Sequence, residues 1–320
     1  AAPLQNISFS QGDSRMLPAS NPAAIATAIQ TERFPGQTGT PIEIITFDGA
    51  DKVDTLNEYA NRISQVPGIV GVVPPQVIGE DVRIVAYQSM LPRTPESQKL
   101  IHDLRDVKAP TGTLIGGVAA DYTDSQDGIS RTLPWAFGWI AISVLLLVFV
   151  FTGSIILPIK AVLLNVLSLA ATMGVLTWVF IDGNLQWLVG SFTVTGSLDT
   201  SIVILIAVVV FGLSMDYELF LLSRIREEHL EGRSNVESVA TGLQRSARII
   251  TAAAVLLAVV FAAFVTSGVT SIKTMGFGVA LAVLLDATLI RALLVPALMR
   301  LMGERNWWAP KSLQRFTLKH

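Results

Sequence analysis

Two carboxylates stand where a chain of this kind has least reason to place them. Asp216 lies in the run Phe211-Gly212-Leu213-Ser214-Met215-Asp216-Tyr217-Glu218, inside a long apolar stretch that begins near Ser201. On a helix rising 1.5 Å per residue, Asp216 sits about 22 Å along, still within the thickness of a hydrocarbon core. A carboxylate at that depth costs at least about 2.5–3.5 kcal/mol, so it marks a functional site by default. Such a group can take up a proton on one side of a membrane and release it on the other. Tyr217 adds a hydroxyl able to reach a carboxylate on a neighbouring helix; adjacent helical residues point about 100° apart, so Asp216 is not its partner. Gly212, one turn earlier, lets another helix approach closely. The plainer reading makes Asp216 and Glu218 the polar end of a shorter helix, but Leu219-Phe220-Leu221-Leu222 follow and are apolar.

Asp286 is a second intramembrane polar site, flanked by Leu284-Leu285 and Ala287. Arg291 follows five residues later, about 140° around an α-helix, so the two are not expected to pair. Arg291 is expected to extend towards the cytoplasm instead. Asp286 is either a hydrogen-bonding contact between helices or a proton carrier. Thr251, Thr266 and Ser267 are weaker candidates, because such hydroxyls commonly bond their own backbone.

These residues need long helices to carry them. The chain is 51% hydrophobic and 15% charged, against about 25% charged in soluble domains. The deficit begins near Pro134. Apolar runs at 135–152, 155–181, 201–222, 249–266 and 275–301 predict five transmembrane helices, with Pro158 in a tolerated first turn. Lys160, Arg224, Arg226, Arg233, Arg245, Arg248, Arg300, Arg305, Lys311, Arg315 and Lys319 fall on one side of these spans, and only Lys273 on the other. The positive side is cytoplasmic. The chain is therefore predicted to be a multi-pass cell-membrane protein, with residues 1–133 outside, a bundle over 134–303 and a cytoplasmic tail over 304–320. Trp307-Trp308 is expected to anchor the cytoplasmic interface.

The first 133 residues have an ordinary polar composition. Residues 1–39 are expected to be irregular, with Pro18, Pro22, Pro35, Gly36 and Gly39. Strands are predicted at 42–47, 69–73, 82–87 and 114–119. Helices are predicted at 51–66, with Val53, Leu56, Tyr59, Ala60 and Ile63 on one face, and at 95–106, with Leu100, Ile101 and Leu104. The order βαββαβ is that of an α+β ferredoxin-like domain.

Other chemistries find no support. The chain has no cysteine, and its three histidines, His102, His229 and His320, form no cluster, so no metal site is expected. A formal net charge of −2 argues against nucleic-acid binding. Neither a P-loop, nor H-E-x-x-H, nor G-x-S-x-G is present, so no enzyme and no cofactor are predicted. Asn6-Ile7-Ser8 matches a glycosylation sequon that is common by chance. The sequence begins without Met or a leader, which predicts a fragment or a mature form.

The run Gly212-Leu213-Ser214-Met215-Asp216-Tyr217-Glu218-Leu219-Phe220-Leu221-Leu222-Ser223-Arg224 resembles the MmpL branch of the resistance-nodulation-division (RND) transporters. Arg248-Ile249-Ile250-Thr251-Ala252-Ala253-Ala254, Leu284-Leu285-Asp286-Ala287-Thr288 and Trp307-Trp308-Ala309-Pro310 support it. The resemblance covers essentially the whole chain and aligns it with the C-terminal half of such a transporter. It implies a proton relay through Asp216 and Tyr217, with partner residues in an N-terminal half of the same transporter or in a second half-sized chain. The implied function is export of hydrophobic or lipidic substrates, with the proton gradient as energy source and membrane lipids as surroundings. The alternatives are a non-transporting assembly or sensing protein and a SecDF-like translocation accessory of the same architecture.

Overall fold

The computed structural model describes residue 5 and residues 7–33 and 41–310. The loop expected at Pro35, Gly36 and Gly39, Asn6 of the sequon, and Lys311, Arg315 and Lys319 of the tail lie outside the described residues. The chain divides into two compact units. One holds Ser8–Leu133 with Ser197–Thr200; the other holds Pro134–Gly196 and the chain from Ser201 onward.

The first unit contains β1 (Phe9–Ser10), α1 (Pro22–Arg33), β2 (Ile42–Thr46), α2 (Val53–Ser64), β3 (Ile69–Ile78), β4 (Asp81–Gln88), α3 (Pro95–Asp106), β5 (Thr113–Gly116) and β6 (Leu198–Asp199). Strands β2 to β5 form an antiparallel sheet in the order β3-β4-β2-β5. Alternation along β2 buries Ile42, Ile44 and Thr46 and leaves Ile45 open, the pattern of a sheet covered on one face. The cover is α2, through Leu56, Tyr59, Ala60 and Ile63, and α3, through Leu100, Ile101 and Leu104. Helix α3 starts where its sequence says it should. The Thr94 hydroxyl accepts from the Ser97 N–H, and Pro95 takes the first turn, where a missing N–H is harmless. On the open face Arg83 binds Glu43 at 2.7 Å, and its hydrogen bonds hold the Glu43 carboxyl below its usual range.

Local signals mislead at four places. Strand β3 continues past Pro74-Pro75 to Ile78, because a register shift between Val73 and Gln76 absorbs the prolines on an edge strand. Residues 22–33 form helix α1 rather than an irregular segment; Pro22 lies at its first position, where proline is accepted. The fourth strand stops at Gly116, and residues 118 and 119 already belong to the next helix. The parallel pair β1–β6 joins residues almost two hundred apart, through Phe9–Leu198 and Ser10–Asp199. The Ser197 hydroxyl donates to Ser10 Oγ at 2.6 Å, and the Thr200 hydroxyl to the Ser10 carbonyl at 3.1 Å.

The remaining helices are α4 (Val118–Thr152), α5 (Ile156–Leu176), α6 (Gln186–Val189), α7 (Thr200–Leu230), α8 (Asn235–Ala263), α9 (Thr270–Leu285) and α10 (Val295–Met302). Five helical segments, Val118–Thr152, Ile156–Ile181, Thr200–Leu230, Asn235–Thr266 and Thr270–Trp307, are long and apolar enough to cross a membrane. Each of the five apolar runs lies within one of them, to within a residue. Helix α4 begins well before the expected residue 135, because Pro134 removes one hydrogen bond without ending the helix. Its first turns bury Ala119 and Ala120 in the core of the first unit.

The bundle core joins Leu157 and Leu164 of α5 to Leu221, Leu222 and Ile225 of α7, Val239 and Ile250 of α8, and Val295 and Met299 of α10. Helices α7 and α8 meet at Gly242. A Cβ there would stand 2.7 Å from Ile225 Cγ1 and 2.9 Å from the Ile225 backbone. The Gly242→Ala variant is expected to lose about 1–3 kcal/mol of stability through overpacking, read as a lower melting temperature in detergent.

Candidate functional site

Helix α7 carries the site because its residues fall on two faces. Ser214 and Glu218 are one turn apart and face inward, 4% and 5% exposed. Tyr217 is half-buried beside them. Asp216 is exposed and points away from this face, together with Gly212 four residues earlier. Among the described residues, nothing stands within 4 Å of a Cβ built on Gly212. The close helix approach expected at Gly212 is therefore not made within the described chain.

The inward face of α7 meets the last span at a widened stretch. Residues Asp286–Leu294 form a π-helix, and the Val295 N–H bonds back to the Ile290 carbonyl. This overturns the expectation that Asp286 and Arg291 would not pair. The angle of about 140° holds for an α-helix. When bonds run from i to i+5, residue i+5 returns over residue i. Arg291 Nε accordingly donates to Asp286 Oδ2 at 2.6 Å. Arg291 does not extend to the membrane surface: it is 2% exposed. Pro296, which has no N–H to give, follows the widened stretch closely.

The pair is tied to α7 from several sides. The Ser214 hydroxyl donates to Asp286 Oδ1 at 2.9 Å. Arg291 Nη2 donates to the Ser214 carbonyl and lies 3.1 Å from its hydroxyl. The guanidinium carbon stands 5.2 Å from the centre of the Tyr217 ring, a cation–π geometry. Serine, aspartate, arginine and tyrosine thus form one buried constellation, a setting in which a buried charge is tolerated only because it is paired and hydrogen-bonded. The structure groups Asp286 with Tyr217 and leaves Asp216 on another face of the same helix.

Sequence reasoning misses Ser214, Glu218 and Arg291 as members of this site. Their spacing holds a signal: 214 and 218 are one turn apart, and 217 and 218 follow the carboxylate directly. The partner helix cannot be read from α7 alone.

A second polar knot lies at the Lys160 end of the bundle. The sequence places Lys160 among the loop cations, but it is 7% exposed, and its Nζ donates to Asn306 Oδ1 at 3.1 Å. Lys273 is likewise inside, 5% exposed and donating to the Val189 carbonyl at 2.8 Å. Trp307 does not serve as a free surface anchor. Its ring stacks on His229 with centroids 4.3 Å apart, and its indole N–H donates to Asn235 Oδ1 at 3.1 Å. Trp308 is the exposed member of the pair. Glu228, 1% exposed, is clamped by Arg233 and Arg245, which removes both arginines from the set of free surface cations.

The chain is similar to larger proteins along almost all of its length. It is 38% identical over 316 residues to a putative membrane protein of Streptomyces coelicolor, covering 98% of this chain and 44% of the relative. It is 34% identical over 330 residues to the trehalose monomycolate exporter MmpL3 of Mycobacterium tuberculosis, covering 98% of this chain and 35% of the relative. The mycolic acid-containing lipids exporter MmpL11 of Mycolicibacterium smegmatis is 35% identical over 295 residues, covering 88% and 31%. The chain therefore spans less than half the length of each of these relatives. Residues 15–317 match the MMPL family, and the chain, with its Asp216-Tyr217 helix packed on a buried Asp286–Arg291 pair, belongs to it.

Proposed function

We propose that this chain is part of a proton-driven exporter of hydrophobic or lipidic molecules in the cell membrane. Its residues before Pro134 form an extracytoplasmic domain, and its C-terminus is cytoplasmic. The strand order β3-β4-β2-β5, with α2 and α3 over one face, supports a ferredoxin-like unit for that domain. Relatives named as exporters of trehalose monomycolate and of mycolic acid-containing lipids support the substrate class.

The observation that carries this reading is the buried Asp286–Arg291 pair, held by Ser214 on the helix that also bears Asp216 and Tyr217. Asp216 takes up a proton from outside and loses its charge. The field at Arg291, which rests against Tyr217, changes with it. Two packings of α7 against the last span then differ in energy by protonation, the kind of local charge change that biases a two-state element. The proton gradient supplies about 2.3 kcal/mol per proton per 100 mV. The open face bearing Gly212 and Asp216 receives the N-terminal half of the transporter, or a second half-sized chain, whose small or polar residues complete the relay.

The test is export by the full-length protein in proteoliposomes under an imposed pH gradient. Lipid should leave the vesicles only while the gradient stands, with counterflow of protons, and an uncoupler should stop it. Export that persists without a gradient would remove the proton-driven reading.

A further inference from the structure

Along α5 and the last span, three buried polar groups have no hydrogen-bond partner among the described residues: Asn165 Nδ2 and Ser168 Oγ on α5, and Arg291 Nη1 on the widened stretch. Asn165 is 3% exposed and Ser168 2%. Both are among the buried residues of α5, a helix that packs against α9 and the residues from 286 onward.

Their height in the bundle follows from Gly278. A Cβ there would meet Leu176 of α5 and Ile206 of α7, so these three residues share one level. About two turns further into the bundle, the same count reaches Ser168 on α5, Ser214 on α7 and Asp286 on the last span. Ser214 and Asp286 are indeed hydrogen-bonded at 2.9 Å. One more turn brings Asn165 level with Glu218 and Arg291.

Glu218 is the buried carboxylate that the Asp216-Tyr217 reading leaves unused. The charged groups acting on it are Arg291 and Asp286 from the last span and Lys160 from α5. On its own helix, Asp216 points elsewhere and Tyr217 lies beside Arg291. From α8, Arg245 is committed to Glu228. Leu164 of α5, Leu221 and Leu222 of α7 and Ile290 of the last span belong to one buried apolar cluster. A buried donor left without an acceptor is destabilising, and proteins satisfy such groups with ordered water bonded to several polar partners.

We infer that Glu218 is a second proton-exchanging carboxylate of this bundle, and that Asn165 and Ser168 of α5 hold the water through which it communicates with Asp286 and Arg291. An excess proton carried by this water as hydronium passes to the Glu218 carboxylate, giving the neutral acid and water, and the reverse step returns it to the water. Asn165 and Ser168 are positioning residues. The inference rests on the proton-driven reading above and extends it to a group outside the Asp-Tyr pair.

The experiment uses the full-length protein and two readouts. Infrared difference spectra across a pH titration report protonated carboxyl groups directly, whether or not lipid moves; export into a pH gradient reports function. Glu218→Gln is expected to fold, to lose one titrating carboxyl band, and to lower gradient-driven export roughly a hundredfold, the scale on which a positioned proton-transfer group acts. Glu218→Asp should restore a shifted band and part of the export. The pair Asn165→Leu with Ser168→Ala should keep the band but slow its deuterium exchange, and Ser168→Thr should exchange as the wild type does. A Glu218→Gln protein with an unchanged spectrum overturns the inference, and so does one whose export equals the wild type. If wild-type export proves independent of the gradient while the Glu218 band and its water dependence are present, the exporter reading fails and the protonation site stands.

Discussion

Replacing Arg291 with Met is expected to cost about 3–5 kcal/mol of stability. The substitution removes the guanidinium that compensates Asp286, which is 4% exposed, and leaves a buried carboxylate without its charge partner. It also removes the donor to the Ser214 carbonyl and the cation over the Tyr217 ring. Lysine is no substitute, because one ammonium cannot reach Asp286 Oδ2 and Ser214 in the forked geometry that Nε and Nη2 use. The measurement is thermal unfolding in detergent. A companion variant, Arg291→Met with Asp286→Leu, takes away both charges and should regain most of the stability, since replacing a buried ion pair by apolar groups is often neutral. That double variant is nevertheless expected to be inactive in export. If Arg291→Met alone melts with the wild type, the ion pair does not hold α7 to the last span.

The second large effect is functional and leaves stability untouched. Asp216→Asn is expected to abolish gradient-driven export in the full-length protein, because an amide of the same shape cannot bind and release a proton. Asp216 is exposed in this chain and faces no described group whose loss would be felt. Within this chain its substitution should therefore shift stability by no more than about 0.5 kcal/mol. The contrast between the two variants is diagnostic: one breaks the scaffold, the other only the charge change. Wild-type export by a well-folded Asp216→Asn variant would count heavily against Asp216 as the coupling residue.

The site is partly legible in the sequence. Asp216 and Asp286 declare themselves as carboxylates in apolar runs, a signal that depends only on composition within a helix length. Arg291 is visible too, but the α-helical angle places it on the wrong face. That angle is a property of the hydrogen-bond pattern, and the pattern changes from i+4 to i+5 over 286–294. Glu218 reads as no more than a neighbour of Asp216, because nothing in α7 reveals that α5 and the last span bury it. Lys160 and Lys273 mislead in the same way. Charge counting treats a lysine near a span end as a surface cation, whereas the side-chain carbonyl of Asn306 and the backbone carbonyl of Val189 draw these two inside.

What the sequence determined by itself is what local, additive forces decide. Five apolar runs long enough for a bilayer became five helices, and the alternating and helical periodicities of 42–106 became β2, α2, β4 and α3 within a few residues. The Thr94-Pro95 cap set the start of α3 without help from the rest of the chain. Only the tertiary structure decided the parallel pairing of Phe9–Ser10 with Leu198–Asp199, the continuation of α4 through Pro134, and the union of Ser214, Tyr217, Asp286 and Arg291. Each of these joins residues far apart in the chain or sacrifices a local hydrogen-bond preference. The strand pairing and the joining of α7 to the last span draw their energy from contacts between elements, and no short window of sequence contains both partners.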